Sequence, residues 1–170
     1  MSKLVDSVKK LNHVYFRTII FGIQDALVST TGVVVGVAAG KADRNMMLLA
    51  ATVTVLVEAI SMASGQYVSE KSIHSLEKKQ HADNLLVGAV LMFGAYLIGG
   101  AIPIMPILFM PKELMVGTSL AASLLGLFLL GWWKSTISGE HKLRTSIQVM
   151  VIGGLSALVG LAVGLFFRPE

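Results

Sequence analysis

Arg17 to Gly40 reads RTIIFGIQDALVSTTGVVVGVAAG, and the fold is decided by where such a stretch can exist. From Thr18 to Gly40 it is almost wholly apolar or small, with a single charge, Asp25, inside it. A helix of about 20 such residues crosses the ~30 Å hydrocarbon layer of a bilayer. A carboxylate held there costs at least ~2.5–3.5 kcal/mol, so Asp25 is expected to be paired, protonated or functional. Gly32, Gly36 and Gly40 recur at every fourth position, a smooth stripe against which another helix can lie closely. A buried acid and a close-packing stripe on one helix predict an ion path between packed helices.

Composition agrees with a membrane protein. The chain has 170 residues, 54% hydrophobic and 14% charged, with mean hydropathy +0.74. Soluble domains carry about 25% charged residues. Cysteine is absent, which excludes disulfides and thiolate metal ligands. The first apolar segment is too long and wrongly flanked for a cleaved leader, so it is expected to stay in the protein. The net charge of +4 reads as membrane sidedness, not as a nucleic-acid surface.

Taken in order, residues 1–12 (MSKLVDSVKKLN) predict a basic amphipathic segment on the membrane surface, followed by a five-helix transmembrane domain over 13–170. The predicted spans are His13–Gly40, Met46–Val68, Leu85–Met110, Leu114–Trp133 and Ile147–Phe167, with a short charged connection at 69–84. Ten of the fourteen Lys and Arg fall on the face shared by the N-terminus and the second and fourth connections. The positive-inside rule puts that face in the cytosol and the C-terminus outside. All four histidines share the cytosolic side. Pro103 and Pro106 are expected to bend or stop the third helix near its outer end. Gly153, Gly154, Gly160 and Gly164 predict a second close-packing face on the fifth.

Asp25 and Glu58 are the two acids deep in apolar spans, each near the middle of its helix. In low dielectric each favours its protonated form, while a bound cation favours the charged form, so exchange of protons for a metal cation follows. Met62 lies one turn beyond Glu58 on the same face and would add a thioether suited to softer transition metals. Glu70, His74, Glu77 and His81 form one stripe if the second helix continues past the membrane, a face that could gather metal or simply be solvated. No HExxH, GxSxG or phosphate-binding loop occurs, so no enzyme is expected. Trp132 and Trp133 read as an interfacial belt.

FGIQDALVSTTGVVVGVAAG (Phe21 to Gly40) resembles the first-helix signature of the vacuolar iron transporter family, and EAISMASGQYVSEKS (Glu58 to Ser72) resembles its second. The spaced prolines and the glycine-rich fifth helix fit as well. The resemblance implies an all-α homodimer exporting Fe²⁺ or Mn²⁺ from the cytosol by proton antiport, with no bound cofactor. It maps the family's first-helix acid onto Asp25 and its second-helix methionine onto Met62. Two departures stand out. The acid that plant-type members carry two turns before that methionine is Thr54 here, with Glu58 one turn before it. The long glutamate-rich metal-binding domain of those members has no room between the second and third helices. The primary expectation is a path lined by Asp25, Glu58 and Met62 at the dimer seam, with Gly32, Gly36 and Gly40 permitting close packing there. The alternative is a non-transporting membrane scaffold or metal-sensing partner that keeps the fold. The expected location is a prokaryotic inner membrane, or a vacuolar membrane if the source is eukaryotic.

Overall fold

Lipid offers the backbone no hydrogen bonds, so a spanning chain satisfies its amides within helices. The computed structural model describes residues 2–77 and 84–168, with side-chain surroundings from 13 to 76 and from 84 to 168. It contains α1 (Ser2–Ala39), α2 (Arg44–Glu77), α3 (Leu85–Phe109), α4 (Met115–Ser138) and α5 (Lys142–Phe166). All five are long and apolar enough to cross a membrane. Their outer surfaces carry Val57, Ile60, Val90, Ile98, Leu129 and Leu158, all exposed, as expected of side chains facing lipid rather than water. The protein is an integral membrane protein.

Helix ends differ from the apolar boundaries for local reasons. Asp43 caps the start of α2, its Oδ1 accepting the Met46 amide at 2.8 Å. α2 then runs beyond Val68 to Glu77, because polar side chains do not break a helix that leaves the apolar layer. The predicted 13-residue polar return between the last two spans shrinks to 139–141. Gly139, at φ 73°, ends α4 in the left-handed conformation that a glycine adopts without strain. α3 runs through both Pro103 and Pro106 to Phe109, close to the predicted end of the span, so neither proline stops it. Each ring leaves the carbonyl four residues earlier without its amide donor. Neighbouring helices support the segment, with Ser119 Oγ of α4 donating to the Pro103 carbonyl at 2.6 Å.

α1 is the centre of the bundle, packing against all four other helices, whereas α2 touches only α1 and α3 among the described residues. Val34 packs with Met47, Ala51 and Ile107 toward one end. Ala26 packs with Val55, Ala59 and Tyr96 at mid-height. Leu27 packs with Leu127 and Val149 on the opposite flank.

The glycine stripe of α1 is used within the chain. Gly32 lies against Ser156, Gly36 against Gly160 and Gly40 beside Gly164, so α1 and α5 run parallel in register. A Cβ on Gly36 would stand 2.8 Å from the Gly160 carbonyl oxygen, and one on Gly160 or Gly164 would collide with the Gly32 or Gly36 carbonyl. Only small residues on both sides allow this approach. Ser156 Oγ closes the seam by donating to the Val28 carbonyl at 2.9 Å. Gly153 faces Leu127 of α4, and Gly154 faces open space.

Gly160→Ala is expected to destabilise the bundle by about 1–3 kcal/mol through overpacking, read as a lowered melting temperature in detergent. Gly154→Ala on the same helix should leave it unchanged or raised, since nothing lies within 4 Å of the added methyl.

Candidate functional site

Carboxyl groups inside an apolar bundle need partners, and three helices supply them at one point. α1 brings Asp25 and, one turn on, Ser29; α2 brings Glu58; α3 brings Tyr96. Ser29 Oγ donates to Glu58 Oε2 at 2.8 Å. The Tyr96 hydroxyl donates to the same carboxylate oxygen. Ser29 Oγ and Tyr96 Oη stand 2.9 Å apart. The Tyr96 hydroxyl also interacts with the Asp25 carboxyl, which feels the charge of Glu58. Tyr96 is fully buried, and both acids are half-buried.

Glycines around Tyr96 bring its hydroxyl into that position. Gly99 lets α3 press on α1, where a Cβ would stand 2.7 Å from the Ile23 carbonyl oxygen. Gly100 leaves room for Val55 of α2, and Gly22 of α1 leaves room for Met92 and Ala95. With bulk at these positions the three helices could not converge on one carboxylate.

Met62 lies one turn along α2 from Glu58, half-buried and packed against the cluster that contains Ala26, Ala59 and Tyr96. Glu70, His74 and Glu77 lie on the continuous α2 helix. Glu70 Oε1 accepts from Gln66 Nε2 at 3.2 Å and stands 3.8 Å from the Arg17 guanidinium. His81 lies outside the described residues, as does the side chain of Glu77. Among the described residues no three His, Cys, Asp or Glu side chains converge as a metal cage.

From Ser29, an apolar groove of about 520 Å³ follows the α1–α5 seam to Gly40 and Phe167 at the C-terminal end of the bundle. Ser29 therefore belongs both to the polar cluster and to this groove. Ser29 and Tyr96 were absent from the sequence-based set of site residues. Ser29 sits four residues after Asp25 on one face, and Tyr96 is a polar-tipped aromatic in the middle of an apolar span. Those were the available signals. The arrangement provides hard oxygen donors beside a thioether, in a site too open to enclose an ion completely.

The sequence profile of the VIT family matches residues 16–86 and 74–165. Vacuolar iron transporter homolog 1 of Arabidopsis thaliana is 27% identical over 158 residues, covering 85% of this chain and 79% of that protein. Vacuolar iron transporter homolog 4 of the same plant is 25% identical over 158 residues, covering 85% and 80%. Vacuolar iron transporter 1 of Tulipa gesneriana is 33% identical over 87 residues, covering 50% of this chain and 35% of that protein.

Tyr96→Phe removes a hydrogen bond to a carboxylate, a bond worth ~1.5–3 kcal/mol, and is expected to lower the unfolding midpoint in detergent. In the Glu58→Gln background the same change should cost less, because the two residues share that bond. Additive effects in the double-mutant cycle would show that they do not.

Proposed function

The chain belongs to the VIT family, and from that premise we propose that it exports a divalent transition-metal cation, Fe²⁺ or Mn²⁺, from the cytosol in exchange for protons. The observation that carries this reading is the meeting of Asp25 and Glu58 at Tyr96, with Ser29 bonded to Glu58 beside them, inside a membrane bundle. Half-buried carboxylates in low dielectric either hold protons or hold a cation, and competition between the two is the simplest basis for antiport. Met62 adds the softer donor that favours a transition metal over Mg²⁺. Glu58 takes the role of the acid that Thr54 lacks, since it is the acid of α2 that reaches the α1 and α3 hydroxyls.

The face carrying the N-terminus and most basic residues is cytosolic in this reading, as the positive-inside rule requires. Glu70, His74, Glu77 and His81 gather metal at that face in a short family member without the large metal-binding domain. The groove from Ser29 to Gly40 leads toward release at the opposite face. A second copy packed along that groove would enclose it and form the functional homodimer. The membrane is the inner membrane of a prokaryote, or a vacuolar membrane if the source is eukaryotic.

In proteoliposomes with an imposed pH gradient, wild-type protein is expected to move Fe²⁺ or Mn²⁺ only while the gradient lasts. Asp25→Asn and Glu58→Gln should each lower the rate at least about tenfold, the scale on which removing even a supporting group weakens a metal site, in protein that remains folded. Wild-type rates in either folded variant would overturn the assignment.

A further inference from the structure

Glu58, Met62, Gln66, Glu70 and His74 follow one another at every fourth position of α2 and are all half-buried. Fourth neighbours lie on one helix face. They form a single line of oxygen, sulfur and nitrogen donors, about 24 Å long at 1.5 Å per residue, from the N-terminal-face end of the bundle to the acid cluster. The line runs between α1 and α3. Glu58 bonds to Ser29 and Tyr96, Met62 packs against the cluster that holds Ala26, Ala59 and Tyr96, and Gln66 lies over Gly88. Glu70 meets Arg17.

That last contact puts a fixed positive charge on a line built for cations. The Glu70 side chain is only 13% exposed, while the Arg17 side chain is 75% exposed. The acid belongs to the wall, and the guanidinium reaches it from outside. The backbone carrying Arg17 is held on both sides. The Tyr15 hydroxyl accepts the Asn84 amide at the start of α3 at 3.0 Å, and the Phe16 ring meets Trp133 of α4 edge-on at 5.3 Å. Only the long Arg17 side chain is left to swing.

We propose that Arg17 is the gate of this line: it occupies Glu70 as a tethered counter-cation until an arriving divalent cation displaces it, and Gln66 and Met62 then pass the ion to Glu58. The inference rests on the transport reading above and adds the selecting residue. A guanidinium does not lose its proton, so a change of pH does not release it, whereas a competing cation does. A monovalent ion offers Glu70 no more charge than Arg17 already does. A transition-metal dication offers twice the charge and approaches a carboxylate oxygen to about 2.0–2.2 Å, against 3.8 Å for the guanidinium. The gate therefore yields to divalent cations and holds against Na⁺ and K⁺.

The chain contains no cysteine, so Met62→Cys introduces a single thiol behind the gate. Its labelling by a cationic methanethiosulfonate reagent, applied from the N-terminal face, reads the gate without requiring transport. Adding Arg17→Gln should speed labelling about tenfold, as for a gate closed in nine-tenths of molecules. The charge swap Arg17→Glu with Glu70→Arg should restore the slow rate. In the Arg17→Gln protein without the cysteine, K⁺ should inhibit Mn²⁺ uptake that it leaves untouched in wild type. Labelling indifferent to Arg17→Gln, in protein that still moves Mn²⁺, would overturn the gate alone. Labelling that depends on Arg17, in protein that moves no metal, would keep the gate and overturn the transport reading.

Discussion

The close approach of α1 to its neighbours is the constraint on which the remaining structure depends. One helix can touch four others only if its surface is nearly free of bulk, and α1 meets that demand with glycines on two flanks. Gly32, Gly36 and Gly40 face α5, and Gly22 faces α3. In a membrane, burying apolar side chains against each other gains little over burying them in lipid, so contact distance and hydrogen bonds decide association. The α1–α5 seam shows the limit of this strategy, with backbone against backbone and one serine hydroxyl bonded across it.

The same approach places the polar cluster. Asp25 and Glu58 belong to different helices, and neither is fully enclosed. A pair of hydroxyls, one from α1 and one from α3, reaches a single oxygen of Glu58, and the Tyr96 hydroxyl alone also interacts with Asp25. An unsatisfied carboxylate in this setting would cost several kcal/mol, and the two hydroxyls reduce that cost without neutralising the charge. The donors of the site form an open line along α2, and among the described residues no closed shell of His, Asp or Glu converges.

The two ends of the bundle differ in chemistry. On the N-terminal side, α2 carries Glu58, Met62, Gln66 and Glu70 at every fourth position, and the Arg17 guanidinium lies beside Glu70. On the other side, beyond Ser29, the groove is walled by valines and glycines.

The sequence by itself determined the number of spans, the membrane setting, the two intramembrane acids and the family to which the chain belongs. Those properties are written in length, hydropathy and short motifs, which survive without knowledge of what packs on what. Only the tertiary structure decided the partner of the α1 glycine stripe, because a smooth face does not say which smooth face will meet it. The prolines of α3 read as a bend or a stop, and only the structure shows them inside one continuous helix, with Ser119 of α4 bonded to the Pro103 carbonyl. Ser29 and Tyr96 became site residues only when three helices converged, since a lone hydroxyl in an apolar run has the same local signal whether it bonds a carboxylate or its own backbone. Arg17 read as a flanking positive charge, and its contact with Glu70 joins residues 53 positions apart in the chain. Local pattern encodes the elements, while pairing across elements depends on shape and distance that no single segment contains.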